Sequence, residues 1–140
     1  MNNIACLKNI QRQLLSLHIL AGMQMILHKL GNLLDEIPNM NIEFGAVIAE
    51  LGRQPRAAKK FFEKYQDRIL FGKDSWAPEE YATYFRVLET EDEYFPYHKK
   101  YHAFWAMYGM GLPDSILKKC IIKMHFVLFL TLISHSSQIK

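Results

Sequence analysis

Apolar residues recur at two different spacings along the middle of the chain, and the two spacings predict different elements. The leucines at positions 27, 30, 33 and 34 fall on one face of a helix that ends before the "IPN" turn at 37–39. Residues 40–44, "MNIEF", alternate between apolar and polar positions, whereas residues 69–71, "ILF", are apolar throughout. The alternation predicts a half-buried strand, and the continuous run predicts a fully buried one.

Two further stretches place apolar side chains on one helical face, and each has a proline near its start. Residues 53–68 contain Pro55, followed by alanine and aromatic residues at helical spacing. Residues 77–89 begin with Pro78 and two glutamates, which complement the positive end of a helix dipole. A last helix is predicted from Pro113, whereas the largely apolar residues 4–26 have no clean period.

The segment 94–108 is dense in aromatic residues. We predict that its second half is helical and that its aromatic side chains pack in a core or a subunit interface. An aromatic stripe at such spacing is typical of packing and not of a cofactor site.

The predicted order of helix, strand, helix, strand, helix indicates an α/β fold. A strand–helix–strand connection of this length implies parallel strands joined by a right-handed crossover. Ligands of parallel α/β proteins gather outside the carboxyl ends of the strands. Asp74 lies there, three residues beyond Phe71, while Glu43 lies on the other strand and Arg53 follows it.

A carboxylate at this edge can bind a divalent metal or accept a proton from metal-bound water. The structural alternative for Asp74 is that it makes hydrogen bonds with Ser75 in a turn before the helix that starts near Pro78. The spacing alone favours the turn.

Composition and charge exclude several classes of function. The 140 residues are half apolar and 22% charged, which is typical of one ordinary domain. The net charge of +3 comes from cations interspersed with acids, so we expect no nucleic-acid partner. The longest apolar stretch, residues 124–134, is too short to span a bilayer, and we expect no signal peptide and no membrane partner. The two cysteines form no disulfide framework, which predicts a cytoplasmic location.

Three histidines are candidate metal ligands. His98 and His102 are four residues apart and would share a helix face, but lysines lie between them where zinc proteases have a glutamate. An amphipathic helix with exposed histidines is therefore the favoured interpretation of this pair. His18 ends the apolar run "LLSL" and is either a ligand at a strand end or a structural histidine.

Three motifs resemble one family when they are taken together. "ELGRQP" at 50–55, "KYQDRILFG" at 64–72 with Asp74 just beyond it, and "GLPD" at 111–114 occur in the order and spacing of that family. Residues 27–119 resemble the C-terminal part of the amidohydrolase-related family of metal-dependent hydrolases and decarboxylases.

This resemblance implies a helix-rich, partial (β/α)8 TIM barrel, comprising about strands six to eight, with residues 40–44 as strand seven and 68–72 as strand eight. Asp74 would be the catalytic and metal-binding aspartate, and His18 the nearest candidate for the metal-binding histidine of strand six. Arg53 is our candidate for substrate binding. The expected cofactor is a divalent metal ion, zinc in the first place, and the substrate is a small molecule.

The same resemblance implies that the chain is incomplete as an enzyme. The metal-binding HxH motif of strand one and the histidine of strand five have no counterpart here, so we expect the chain alone to bind metal weakly and to be inactive. We also expect self-association or pairing with the missing barrel strands.

The resemblance stops abruptly at both ends of the single partial domain 1–140. Codons for "CIIKM" at 120–124 can encode the family's Tyr-Tyr-Lys-Asn-Ala when they are read two bases later. We therefore interpret the chain as a frame-disrupted fragment in which residues 1–26 and 120–140 are divergent ends. The alternative function is a non-catalytic helical interaction module, in which residues 94–108 and the apolar tail bury against a protein partner or a membrane surface.

Overall fold

The computed structural model describes residues 14–16, 24–45, 47–73, 77–99, 101 and 103–122. The strands are β1 (Leu14–Ser16), β2 (Asn41–Glu43) and β3 (Ile69–Leu70). The helices are α1 (Gln24–Glu36), α2 (Ile48–Arg53), α3 (Pro55–Tyr65) and α4 (Pro78–Glu89), followed by α5 at residues 114–122. Within these ranges no helix is both long enough and apolar enough to cross a bilayer.

The three strands form one parallel sheet in the order β1-β2-β3. Leu15 pairs with Ile42, and Ile42 pairs with Ile69 on its other side. The connection from β2 to β3 runs through α2 and α3, which is the crossover expected between parallel neighbours. This arrangement brings the carboxyl ends of β2 and β3 side by side.

The prediction of a partial TIM barrel is wrong for this structure. The described residues form a small open sheet whose strands have three, three and two residues, and helices supply most of the regular structure. A barrel needs strands long enough to tilt and stagger around a closed cylinder, which strands this short cannot do. The outer side of the β3 segment is also capped by α5, because the Phe71 N–H donates to the Cys120 carbonyl at 3.2 Å.

Four of the predicted helices are confirmed, and a fifth was missed. The structure places α1, α3, α4 and α5 where the apolar periodicity predicts them. Helix α2 has only six residues, and four of them are buried, namely Ile48, Ala49, Leu51 and Gly52. A helix this short and this buried has too few polar positions to produce a recognisable period.

The predicted helix in the second half of residues 94–108 is wrong. The described residues there are not helical, and Phe95 and Met107 instead form an antiparallel bridge, with N–H to carbonyl distances of 3.0 and 2.8 Å. Tyr94 has a φ of 56°, and Pro96 follows two residues later, so the backbone turns away from a helix here. Of the aromatic side chains predicted to pack, Phe95 is buried in the core, whereas Tyr94, Tyr101 and Phe104 are exposed.

The core lies between the sheet and the helices and is closed by aromatic contacts. Phe44 meets the rings of Phe62 and Phe71 edge-on, at centroid distances of 5.1 and 5.6 Å. The core also contains Ile48 and Ile69, which are fully buried. Other large, fully buried side chains in it are those of Leu34, Val87, Leu88 and Met107. The sheet is therefore held in place by the helices around it, and its carboxyl edge has a defined position.

Candidate functional site

The carboxyl ends of β2 and β3 meet around the Glu43 side chain. The backbone N–H of Gly45 donates a hydrogen bond to the Glu43 carboxylate. A Cβ atom on Gly72 would overlap the Glu43 side chain, and one on Gly45 would overlap the Gly72 carbonyl. Two glycines are therefore required for the strand ends to approach each other with this carboxylate beside them.

Helix α4 closes this edge from the side. The hydroxyl of Tyr84 donates a hydrogen bond to the carbonyl of Gly45, and Tyr84 is buried. The ring of Tyr84 also lies edge-on to Phe71, at 6.1 Å between centroids. The loop after β2, the segment after β3 and α4 are thus joined at one place, which we call the strand-end site.

Lys73 carries a charge into this site. Its Nζ lies 2.5 Å from Glu80 Oε2, and only 1% of the Lys73 side chain is exposed. The ammonium group also lies over the rings of Tyr84 and Tyr81, at 5.5 and 5.9 Å from their centroids. Burial of an ammonium ion is costly unless it is paired, and here a carboxylate and two aromatic faces replace water.

Glu80 is the common partner of three basic side chains. Lys99 approaches its Oε1 at 3.4 Å, and His98 Nε2 approaches its Oε2 at the same distance. The hydrogen bond from Lys73, together with that from Lys99, lowers the pKa of Glu80 in spite of its burial. Glu80 is therefore an ionised carboxylate at neutral pH.

The His98 ring is enclosed beside Glu80. It lies 4.1 Å from the Tyr97 ring and 6.1 Å from the Tyr84 ring, measured between centroids. Its Nε2 lies 3.4 Å from Glu80 Oε2, and within the described residues Nδ1 has no hydrogen-bond partner. Burial lowers the pKa of His98, although the charge of Glu80 opposes this effect. His98 is consequently a neutral imidazole at neutral pH, and its one unprotonated ring nitrogen can accept a proton.

The described part of the strand-end site is an ion cluster and not a metal centre. No group of three or more His, Cys, Asp or Glu side chains in the described ranges is placed to hold a metal ion. Glu80 is already neutralised by two lysines, and their positive charges oppose a cation at this carboxylate. This part of the site can keep the Glu80 carboxylate ionised and exchange a proton at His98. Its ion pair also holds Lys73, in the segment after β3, against α4.

Two of the three predicted site residues, Asp74 and His18, lie outside the described residues. In the sequence, Asp74 directly follows Lys73, and His18 comes two residues after the end of β1. The third, Arg53, is exposed at the end of α2, where its guanidinium carbon lies 4.8 Å above the centre of the Trp105 ring. The structure therefore places Arg53 in contact with the segment 103–110 and not in the cluster around Glu80.

The prediction for the histidine pair is only partly testable. His102 lies outside the described residues, and His98 lies in a non-helical segment, so its expected place on a helix face is wrong. Sequence reasoning assigned Glu80 only to the helix dipole, and it missed Lys73 and Tyr84 as site residues. The available signal was weak, since a lysine directly after a buried strand is usually solvated.

Comparison with protein-family models, with curated proteins and with solved structures finds no match to this chain.

Proposed function

We propose that this chain is the C-terminal part of a metal-dependent hydrolase of the amidohydrolase-related type, which hydrolyses or decarboxylates a small molecule. The support from the sequence is the order and spacing of "ELGRQP", "KYQDRILFG" and "GLPD". The observation that carries the proposal is that β3 ends at Leu70, which pairs with Glu43 of β2, and that Asp74 follows four residues later in the chain. Ligands of parallel α/β sheets bind at such an edge.

In this proposal the residues around Asp74 position its carboxylate. Lys73 and Glu80 lie on either side of residues 74–76 in the sequence, and their ion pair of 2.5 Å ties the two ends of that connection together. The tyrosines that surround Lys73 keep water from this pair. Asp74 is then the catalytic carboxylate and a metal ligand.

The divalent metal, zinc in the first place, would polarise the substrate and activate water when it is bound. A catalytic zinc site needs about three protein ligands, and this chain offers two candidates, Asp74 and His18. Among the described residues, no group of three or more His, Cys, Asp or Glu side chains is placed to hold a metal ion. We therefore expect the chain alone to bind zinc weakly and to show no hydrolysis.

A chimaera tests the proposed role of Asp74. Residues 27–119 would replace the corresponding segment of an active hydrolase of this family, which supplies the other ligands. We expect the chimaera to hydrolyse its substrate, Asp74→Asn to abolish that activity, and Asp67→Asn, at the opposite end of β3, to retain it. Equal activity of the Asp74→Asn and parent chimaeras would reject Asp74 as the catalytic carboxylate.

The isolated chain and its gene provide two further tests. Turnover by the isolated chain that is lost with a chelator and in Asp74→Asn would show that the chain is not dependent on missing ligands. The nucleotide sequence tests the proposed frame disruption, because the flanking codons must encode family-like text in another frame. Codons that cannot do so would remove that part of the proposal.

We also propose a cytoplasmic protein with a small-molecule substrate and no nucleic-acid partner. Cys120 is buried and forms no disulfide among the described residues, as expected in a reducing compartment. Self-association, or pairing with further β-segments, would supply a neighbour for the outer edge of β1, which has no paired strand among the described residues.

A second candidate function, a non-catalytic interaction module, is favoured by one observation. Tyr101 and Phe104 are each 86% exposed, although the segment around them contributes to the core. The double substitution Tyr101→Ser/Phe104→Ser should abolish any association of the chain with itself or with anionic liposomes, as measured by sedimentation. Association that is unchanged by this substitution would reject these aromatic residues as the contact surface.

A further inference from the structure

A surface groove of about 630 Å³ lies between the start of α3 and residues 91–93 and 108–110. Small-molecule sites have volumes of roughly 300–1,000 Å³, so the groove is large enough for a ligand. None of the side chains of the Glu80 cluster lines it. The groove is therefore separate from the strand-end site and is considered independently of the proposed function.

One wall of the groove carries two guanidinium groups. Arg53 and Arg56 are both exposed, and in the described part of the chain neither has a carboxylate within ion-pair distance. The Arg53 guanidinium is stacked at 4.8 Å on Trp105, whose ring N–H donates to the Ala49 carbonyl at 3.1 Å. A stacked guanidinium is held in one orientation and keeps its N–H edge available for an anion.

The backbone of α3 strengthens the positive potential of this wall. The helix has Pro55 at its start and no side-chain cap, so the N–H groups of Arg56 and Ala57 have no helical acceptor. Lys59 lines the groove one turn further along, with its Nζ 2.9 Å from the Gly111 carbonyl. Arg53, Arg56, Ala57 and Lys59 therefore all line the same groove.

The wall formed by the segment after α4 is acidic. Glu91 and Glu93 line the groove and are exposed, and within the described ranges neither forms an ion pair. A simple anion would be attracted by one wall and repelled by the other. A ligand with an anionic group at one end and an ammonium group at the other would be attracted by both walls.

We infer that this groove binds a small zwitterion, with its carboxylate or phosphate on Arg53 and Arg56 and its ammonium group on Glu91 and Glu93. The planar fork of arginine pairs with a carboxylate or a phosphate through two parallel hydrogen bonds. A carboxylate and a phosphate would therefore be recognised in the same way by the two arginines, and the experiment distinguishes between them.

The test titrates the isotope-labelled full chain with three probes and follows backbone amide shifts by NMR. β-Alanine and O-phosphoethanolamine both have two carbons between their charged groups, and they differ in the anion. Inorganic phosphate has no ammonium group. We expect saturable shifts at Arg56, Ala57 and Gly109 with at least one of the two zwitterions, and the tighter zwitterion identifies the anion.

Charge-neutral variants distinguish the two walls. Arg53→Gln/Arg56→Gln should weaken binding of the zwitterion by about tenfold or more, whereas Lys60→Gln, an exposed residue of α3 that does not line the groove, should leave it unchanged. Glu91→Gln/Glu93→Gln should weaken binding of the zwitterion and strengthen binding of inorganic phosphate. Arg56→Gln alone serves if the double arginine variant is not folded, since Arg56 is an exposed residue.

Three results would overturn the inference. The first is that neither zwitterion gives saturable shifts at concentrations up to about 10 mM, which would detect even a weak, millimolar dissociation constant. The second is equal binding by the parent chain and the arginine variant. The third is a glutamate variant that weakens inorganic phosphate and zwitterion alike, which would make the acidic wall structural. None of these results bears on Asp74.

Discussion

His98 shows how one side chain can link the strand-end site to pH. Lys73 after β3, Glu80 and Tyr84 of α4, and Tyr97 and Lys99 of its own segment surround its ring. Protonated His98 would place a third cation around the single carboxylate of Glu80. Burial and these lysines explain why the folded state favours the neutral imidazole.

We therefore expect stability to fall as the pH decreases through about 6.5, the ordinary pKa of histidine. The pKa of His98 is lowered in the folded state, so its contribution is fully present above the unfolded pKa and is lost as the unfolded chain takes up the proton. Urea midpoints at about pH 7.5 and about pH 5.5 measure this. His98→Gln should flatten the dependence, while His28→Gln, an exposed histidine on α1, should not.

Gly109 illustrates a residue required by a close backbone approach. A Cβ atom there would overlap the carbonyl oxygen of Thr90. The backbone cannot move away freely, because Gly109 N–H donates to Asp92 O at 2.7 Å and Met110 N–H donates to Val87 O at the same distance. These bonds align residues 107–112 with the end of α4.

Gly109→Ala should lower the free energy of unfolding by roughly 1–3 kcal/mol, the range found for overpacked sites. Thermal or urea denaturation followed by circular dichroism measures the change. Asn32→Ala, on an exposed position of α1, is the control and should stay within about 0.5 kcal/mol of the parent. A Gly109→Ala chain as stable as the parent would show that the approach to Thr90 can relax.

At the scale of elements, α1 and α3 are joined by a polar contact inside an apolar interface. The Tyr65 hydroxyl of α3 lies 3.0 Å from the Gly31 carbonyl of α1 and 3.0 Å from Asp35 Oδ2. A Cβ on Gly31 would come within 2.9 Å of that hydroxyl. The glycine in α1 therefore makes room for the tyrosine, although glycine weakens a helix.

Tyr65→Phe should destabilise the fold by about 1 kcal/mol, because it removes the hydroxyl and leaves the Gly31 carbonyl without this donor. Tyr101→Phe is the matched control, since Tyr101 is 86% exposed, and it should have no measurable effect. Comparison of the two urea midpoints decides the point. Equal midpoints would mean that water replaces the lost hydrogen bond.

At the scale of the whole molecule, α5 completes the fold by covering β3. Leu112, Ile116 and Cys120 are buried against the core, and the Cys120 carbonyl accepts the Phe71 N–H. Lys119 adds a polar contact to Gln66 at 2.9 Å. An uncovered β3 would present unpaired backbone groups, which favour association between chains.

Ile116→Ala should therefore cost about 2–5 kcal/mol of stability, as for other large-to-small changes in a core. It should also increase light scattering under mildly destabilising conditions, since the outer side of β3 becomes accessible. Ile122→Ala, in the same helix but 63% exposed, should change neither quantity. Scattering that rises equally in both variants would show that the effect does not come from the covered edge.

Local periodicity was sufficient to locate most of the elements. The leucines of α1, the alternation in β2 and the prolines at the starts of α3 and α4 are signals within a few residues of one another. The short helix α2 and the bridge between Phe95 and Met107 could not be predicted in this way. The first is too buried to show a period, and the second depends on residues twelve positions apart.

The candidate site was predictable only in part. Position after a strand drew attention to Asp74, and position on the neighbouring strand to Glu43, which the structure places where β2 and β3 end. The burial of Lys73 and the enclosure of His98 come from side chains of α4 and residues 97–99, far away in the sequence. Arg53 had been grouped with the strand-end residues, but it stacks on Trp105.

The sequence by itself determined most of the helices and strands, because apolar spacing, prolines and glycines act through neighbouring residues. Only the tertiary structure decided that three short strands stay an open sheet and which charges become buried partners. Burial and electrostatic pairing depend on distances between remote segments, and packing sets those distances.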